Sequence, residues 1–377
     1  MRFRILPTVL ALLLVAISVR ASDWDRSVAL YQKGEYRAAL AEFQDIVIER
    51  PDVAGAWYYI GLCEFKLKHY ERVELPMMHA IDLLGVQTPD SPDVGGAWYT
   101  IGISEYLLGK YDRAIEPLKR YLELATKNGR EIDASARTAL GRSYFFLDKY
   151  DEAAPLLSTT ARDGDSARQA DQLKERATNN YYLGAIYFKR EDDDRAITEL
   201  REATRVSTPD AASLELLAES LMRKARKLGT AAAGKPDPGA GYWTEAADTG
   251  EKLRTIRDDI KTEGICGRAY LGARQFDKAA APLEKVARAN PDNAQAWLYY
   301  GIALSRGGQL RKAMEALEIT IQLAPDSLPA FAELGYVYES DKQYQQALRI
   351  YEKAFSATND PSMKERIDRV KVLAGQP

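Results

Sequence analysis

The sequence predicts an all-α solenoid: helix-turn-helix units stacked in a right-handed superhelix and closed by a further helix at the C-terminal end. Three observations predict it. The stretch AGAWYYIGLCEFKLKHYERV from Ala54 returns as GGAWYTIGISEYLLGKYDRA from Gly95 and as AQAWLYYGIALSRGGQLRKA from Ala294. The recurring Trp, Gly, aromatic and Ala positions keep a fixed spacing within a unit of about 34 residues, and self-similarity at that period marks a repeat array. Beyond the last unit, Asp360-Pro361 supplies a helix start, and Met363, Ile367 and Val370 form one apolar stripe with charges elsewhere. A solenoid needs such a helix to close its last hydrophobic face.

The units can be taken in order once Trp57 is set as position 4. Gly61 is then position 8, Tyr70 position 17, Val73 position 20 and Ala80 position 27. The same frame laid on Trp98 gives Gly102, Tyr111, Ala114 and Tyr121. On Trp297 it gives Gly301, Leu310, Ala313 and Thr320, with Pro325 at position 32, and the next unit supplies Phe331, Gly335, Tyr344, Ala347 and Ala354. Nine units follow, starting near residues 20, 54, 95, 134, 177, 211, 260, 294 and 328. The first has Ser27 at position 8 but keeps Gly34, Tyr36, Ala39, Phe43 and Pro51. The fourth has Arg137 in place of the aromatic at position 4. Small residues at 8 and 20 let the two helices of a unit approach closely. Tyr or Phe at 17 is expected to fill the gap they leave, and Pro at 32 ends the second helix.

These residues resemble the tetratricopeptide repeat family, a helix-turn-helix repeat of about 34 residues. The resemblance covers nearly all of the chain after residue 21. It implies an array over residues 22–360, with a loop insertion at 229–241, and a capping helix and tail at 361–377. At 100° per residue, positions 4, 7, 8 and 11 of each first helix share the stripe that packs on the partner helix, and positions 2, 5, 9, 12 and 13 share the opposite one. The resemblance implies that this second stripe lines a concave groove that binds partner peptides.

Composition narrows the function classes. The chain of 377 residues is 46% hydrophobic and 28% charged, enough apolar material for a sizeable core. Its net charge of −3 and lack of a basic block argue against a nucleic-acid partner. Residues 1–21 read as a signal peptide: Arg2 and Arg4 precede an apolar run from Ile5 to Val19, and Val19-Arg20-Ala21 makes a small-residue cleavage site. That run is shorter than the about 20 apolar residues a bilayer core needs, so a removable leader fits better than an uncleaved anchor. The expectation is an exported protein. With no Asn-x-Ser/Thr sequon in the chain, a bacterial periplasm is favoured. Cys63 and Cys266 fall in the second and seventh units, too far apart along the array to pair.

Chemistry-bearing motifs are sparse. Gly229, Gly234 and Lys235 imitate a phosphate-binding loop, but Pro236 stands where Ser or Thr is needed and no strand precedes it, so the segment reads as a linker. His69 and His79 read as surface residues, and Glu191–Arg195 as a solvated turn without the spaced ligands of a calcium loop. No catalytic neighbourhood is recognisable. The reading is a non-enzyme without cofactor, metal or nucleotide.

Positions 5 and 12 separate the two halves of the chain. Units one to five place Trp24, Tyr31, Tyr58, Phe65, Tyr99, Tyr106, Phe145, Tyr181 and Phe188 there, with Thr138 the exception. Units six to nine place Glu215, Met222, Gly264, Leu271, Leu298, Ser305, Ala332 and Glu339. Either the rings pack between neighbouring first helices or they form a recognition surface, which the apolar ring and hydroxyl of Tyr suit. The functional expectation is a cell-envelope scaffold that binds another protein or a peptide segment. The alternative is a polysaccharide-binding factor in envelope or exopolysaccharide assembly, with the rings stacking on sugar.

Overall fold

The computed structural model describes residues 23–86, 88–162, 169–229 and 237–375. The expected signal peptide and most of the linker that imitates a phosphate-binding loop lie outside these. Among the described residues every regular element is helical. Two compact bodies are formed, Met1–Tyr182 and Leu183–Pro377. The first holds α1 (23–32), α2 (Tyr36–Glu49), α3 (Ala54–Lys66), α4 (Glu74–Gly85), α5 (Pro92–Leu107), α6 (Tyr111–Lys127), α7 (Ala134–Phe146) and α8 (Tyr150–Arg162). The body boundary falls within α9 (Gln169–Lys189). The second body continues with α10 (Asp193–Ala203), α11 (Ala211–Leu228), α12 (Ala240–Ile256), α13 (Ile260–Gly272), α14 (Phe276–Ala289), α15 (Ala294–Arg306), α16 (Leu310–Leu323), α17 (Leu328–Ser340), α18 (Tyr344–Thr358) and α19 (Pro361–Leu373).

Within each body, helices pack on their sequence neighbours, and first helices also pack on the first helix of the following repeat: α3 on α5 and α5 on α7, then α11 on α13, α13 on α15 and α15 on α17. The glycine at position 8 explains the close intra-repeat approach. A Cβ on Gly102 would lie 2.6 Å from Leu118 Cγ, and one on Gly335 would lie 2.2 Å from Tyr351 Cε1. The facing residue is position 24 of the same repeat, and there Met77, Leu118, Leu157, Leu200, Leu283, Leu317 and Tyr351 are all fully buried. Position 24 therefore fills the gap, not the ring at 17. The sequence-based expectation fails because a side chain seven residues into the second helix points back onto the glycine, whereas position 17 sits at the turn.

The turn itself is the same in every intact repeat. Position 15 is left-handed: Gly34, Gly109 and Gly308 have φ of 82°, 72° and 77°, and Lys68, Asp148, Glu191, Arg274 and Lys342 take φ between 57° and 63°. The amide at 15 donates to the carbonyl at 12 and the amide at 16 to the carbonyl at 11, as in Lys68 to Phe65 (3.0 Å) and His69 to Glu64 (2.9 Å). This is the paired bonding that ends a helix at a left-handed residue. It leads straight into the second helix, which is why α6, α14, α16 and α18 start without a side-chain cap. Most first helices do carry a cap: Asp210 accepts from the Ser213 amide at 2.9 Å, Asp259 from Thr262 at 2.8 Å and Asn293 from Ala296 at 3.2 Å. At the C-terminal end Met363, Ile367 and Val370 of α19 bury against Phe331 and Tyr351, closing the last repeat.

Candidate functional site

All nine rings singled out by the sequence are half-buried. Eight lie in the first body and Phe188 in the second. The position-5 rings reach forward onto the next first helix. The Trp24 indole lies against Gly55 and the Tyr58 hydroxyl against Gly96, so that an added Cβ would meet them at 2.8 Å and 2.3 Å. Tyr99 meets Ser135 in the same way, and Thr138 accepts a 3.3 Å hydrogen bond from Asn179. Gly55, Gly96 and Ser135 are all position 2 of their repeats and Asn179 is position 3, so Trp24, Tyr58, Tyr99 and Thr138 each span to position 2 or 3 of the repeat ahead.

The position-12 rings do something different. In the first body each meets the ring at position 17 across the turn: Tyr31 with Tyr36 at 5.4 Å, Phe65 with Tyr70 at 5.7 Å, Tyr106 with Tyr111 at 6.0 Å and Phe145 with Tyr150 at 5.8 Å between centroids. Edge-on and tilted pairs at these distances are favourable beyond their burial. Sequence reasoning had placed the ring at 17 in the helix interface and so missed this partnership. Phe146 and Tyr182 extend the surface: Tyr111 stacks on Phe146 at 4.3 Å, and Phe145 meets Tyr182 edge-on at 4.8 Å. Phe146 and Leu107, both at position 13, remain 42% and 48% exposed. Their presence in the groove stripe was the signal that could have found them.

Electrostatically this surface is quiet. Burial pushes the hydroxyls of Tyr31, Tyr58 and Tyr99 up to about 12, so they stay neutral donors and acceptors. Arg142 donates through Nε and Nη2 to the side-chain oxygen of Asn179, at 3.1 and 2.7 Å, with its guanidinium over the Tyr182 ring.

In the second body ion pairs take over part of the first-helix surface. Phe188 is not open: the Arg223 guanidinium sits 3.7 Å from its ring centre and also bonds the Asp193 carboxylate, which Lys227 approaches at 2.8 Å. Asp193 is only 4% exposed, so the acidic turn is not the solvated one expected; Asp192 caps α10 and Asp193 is drawn in by two cations. Further along, Glu215 at position 5 takes Arg257 at 2.6 Å and also Lys261 at position 2 of the next repeat. Glu219 takes Arg268 at 2.6 Å, Glu333 takes Arg306 at 2.7 Å and Glu339 takes Arg369 at 2.7 Å. His69 is likewise not simply surface: its Nδ1 lies 2.7 Å from the buried Glu64 carboxylate, while His79 is exposed against Trp57. Both cysteines are unpaired and buried. Among the described residues no helix is long and apolar enough to cross a membrane, and no group of three His, Cys, Asp or Glu side chains is arranged to hold a metal.

Two sequence-family models, each described as tetratricopeptide repeat, match residues 25–72, 138–212 and 267–327 in one case and 330–364 in the other, together more than half of the chain. The chain belongs to the tetratricopeptide repeat family. No curated protein matches it in sequence. Solved structures similar to it include MamA from MSR-1, 21% identical, covering 51% of this chain and 98% of its own with a TM-score of 0.41. MamA from Desulfovibrio magneticus RS-1 is 20% identical over 48% of this chain and 95% of its own, TM-score 0.41. YrrB, a tetratricopeptide repeat protein with an unusual peptide-binding site, is 17% identical over 51% of this chain and 92% of its own, TM-score 0.43. Tetratricopeptide repeats are typically non-catalytic modules of protein–protein interaction.

Proposed function

We propose that this tetratricopeptide repeat protein is a non-catalytic scaffold of the cell envelope, holding a partner protein or peptide segment against the aromatic, concave face of its first body. Trp24, Tyr31, Tyr58, Phe65, Tyr99, Tyr106, Phe145 and Tyr181 form that face; Phe188 is left out because Arg223 occupies its ring. The observation that carries the reading is the half-burial of these rings across successive repeats, neither sealed in the core nor fully exposed. Tyr at such positions offers apolar area with little entropy to lose and a hydroxyl handle. The export expectation supports the envelope as its compartment.

The test uses Tyr58→Ala, Tyr99→Ala and Tyr181→Ala one at a time, with melting and capture from envelope extract measured on each. The reading expects capture by the native chain, weakened capture by the variants, and melting largely retained. Truncating a ring that serves only as core costs about 3–5 kcal/mol. A large fall in melting temperature for all three, without a separate effect on capture, would sink it. A glycan-binding screen on the same variants identifies the case in which the rings stack on sugar instead.

A further inference from the structure

A pair of rings recurs from repeat to repeat along the first body. Phe65 meets Tyr70 in the second repeat and Tyr106 meets Tyr111 in the third, and the first helices that carry Phe65, Tyr106 and Phe145 pack in succession, α3 on α5 and α5 on α7. Packed helices lie about 8–10 Å apart, so the pairs recur at about that step. Their hydroxyls are free. Those of Tyr31, Tyr70, Tyr106, Tyr111 and Tyr182 have no hydrogen-bond partner among the described residues, whereas Tyr121, Tyr150, Tyr338 and Tyr351 each have one. Burial raises Tyr31 and Tyr182 above the usual tyrosine value, so both stay donors near neutrality. Leu107 and Phe146, which follow Tyr106 and Phe145 in the chain, are 48% and 42% exposed. At positions 2, 5, 9, 12 and 13 of repeats one to four the only charged side chains are Lys66 and Arg142, and no carboxylate occurs. Glu71 and Asp112 follow the position-17 rings, outside this stripe.

We propose that this face binds an uncharged, proline-rich segment of its partner in the polyproline II conformation. The inference rests on the scaffold reading of the same face and adds the chemistry of the occupant. Three residues of such a helix rise about 9 Å, so every third residue meets the next ring pair. A β-strand brings side chains to one side about every 7 Å and falls out of step. An α-helix keeps the step at seven residues, about 10 Å, but its carbonyls are already bonded and leave the hydroxyls no acceptor. A polyproline II segment has no internal hydrogen bonds, so its carbonyls accept from the tyrosine hydroxyls while the proline rings pack on aromatic surface. Its stiffness leaves little entropy to lose. Charge sets the rest of its composition: on a stripe with so few charges, a charged residue would lose water without gaining a partner. Tyr111 and Phe146 each give one ring face to their mutual stack at 4.3 Å, which leaves less flat surface for a sugar.

The test is fluorescence anisotropy on the full chain with a labelled, capped peptide of four Pro-Pro-Ala triplets, beside a control in which every proline is serine and a labelled glucan hexasaccharide. Saturable binding of the proline peptide is expected, with the serine peptide about tenfold weaker or absent. Tyr106→Phe combined with Tyr111→Phe removes two hydroxyls and keeps both rings. It should weaken binding about tenfold while melting is unchanged, since neither hydroxyl holds the fold. Leu107→Glu, at an exposed position, should weaken binding at least as much with the fold retained. No saturable binding of the proline peptide overturns the proposal, as do equal binding of the serine peptide, preference for the hexasaccharide, or undiminished binding in either variant. The two readings fail separately. Ring variants that lose capture from envelope extract, in a chain that ignores the proline peptide, sink this inference and leave the scaffold standing.

Discussion

At the scale of single residues, the turn at position 15 sets a requirement that only some repeats meet with the best residue. A left-handed backbone is unfavourable for an ordinary L-residue by roughly 1–2 kcal/mol and free of that strain for glycine, which in turn loses more freedom on folding. Lys342 and Arg274 are exposed and left-handed, with φ of 58° and 59°. Lys342→Gly and Arg274→Gly are therefore expected to stabilise by about 0.5–1 kcal/mol each, seen as a modest rise in melting temperature. An equal or lower melting temperature would show that the strain is relieved elsewhere. Asp148→Gly is expected to gain less, since Asp148 also accepts the Tyr150 hydroxyl. Glycine at position 8 has the opposite constraint. Gly335→Ala would set a Cβ against the fully buried Tyr351 ring, and overpacking of that kind costs about 1–3 kcal/mol, measurable by urea unfolding.

At the scale of elements, one register contact is built from two chemistries. Position 13 of a repeat meets position 17 of the repeat before it: Phe146 on Tyr111 in the first body, Arg223 on Asp193 in the second. The aromatic version tolerates exposure, while the ionic version holds a buried carboxylate that must stay paired. Asp193→Asn leaves Arg223 and Lys227 without their anion and is expected to cost about 2 kcal/mol, discounted from the fully buried case because Lys227 is half-exposed. A double-mutant cycle of Asp193→Asn with Arg223→Met checks it: a coupling near zero would show the pair to be idle. The corresponding Phe146→Ala should be milder, because that ring is 42% exposed already.

At the scale of the whole molecule, the acids held by burial set an alkaline limit. The thiols of Cys63 and Cys266 are raised from 9.0 to about 12 and about 11, and Tyr31, Tyr58 and Tyr99 from 10.0 to about 12, in each case chiefly by burial. The folded chain thus holds these protons more tightly than the unfolded chain. Their contribution to stability is complete below the unfolded values and is lost as pH rises through the window from about 9 to 12. The urea midpoint should be insensitive to these groups near neutrality and fall progressively above pH 9; a midpoint that stays level to pH 11 would contradict the burial of these groups. Denatured, unreduced protein should titrate two thiols, and the native chain should react slowly with the same reagent.

The sequence by itself determined the helix-turn-helix repeat, its register and its closing helix. The reason is physical: a period kept over Trp57, Gly61 and Tyr70, then Trp297, Gly301 and Leu310, imposes the same local turn and the same close approach each time, and α19 shows its apolar stripe in three residues. It also separated an aromatic half of the groove stripe from a non-aromatic one. The roles within that stripe were decided only by tertiary structure, because spacing in one helix says nothing of what the neighbouring helix presents. Whether Tyr58 faces solvent depends on Gly96 in the next repeat, and whether Phe188 is open depends on Arg223. The pairing of rings at 12 and 17 depends on a left-handed turn folding one over the other. The Arg137 substitution was legible as a departure from the repeat.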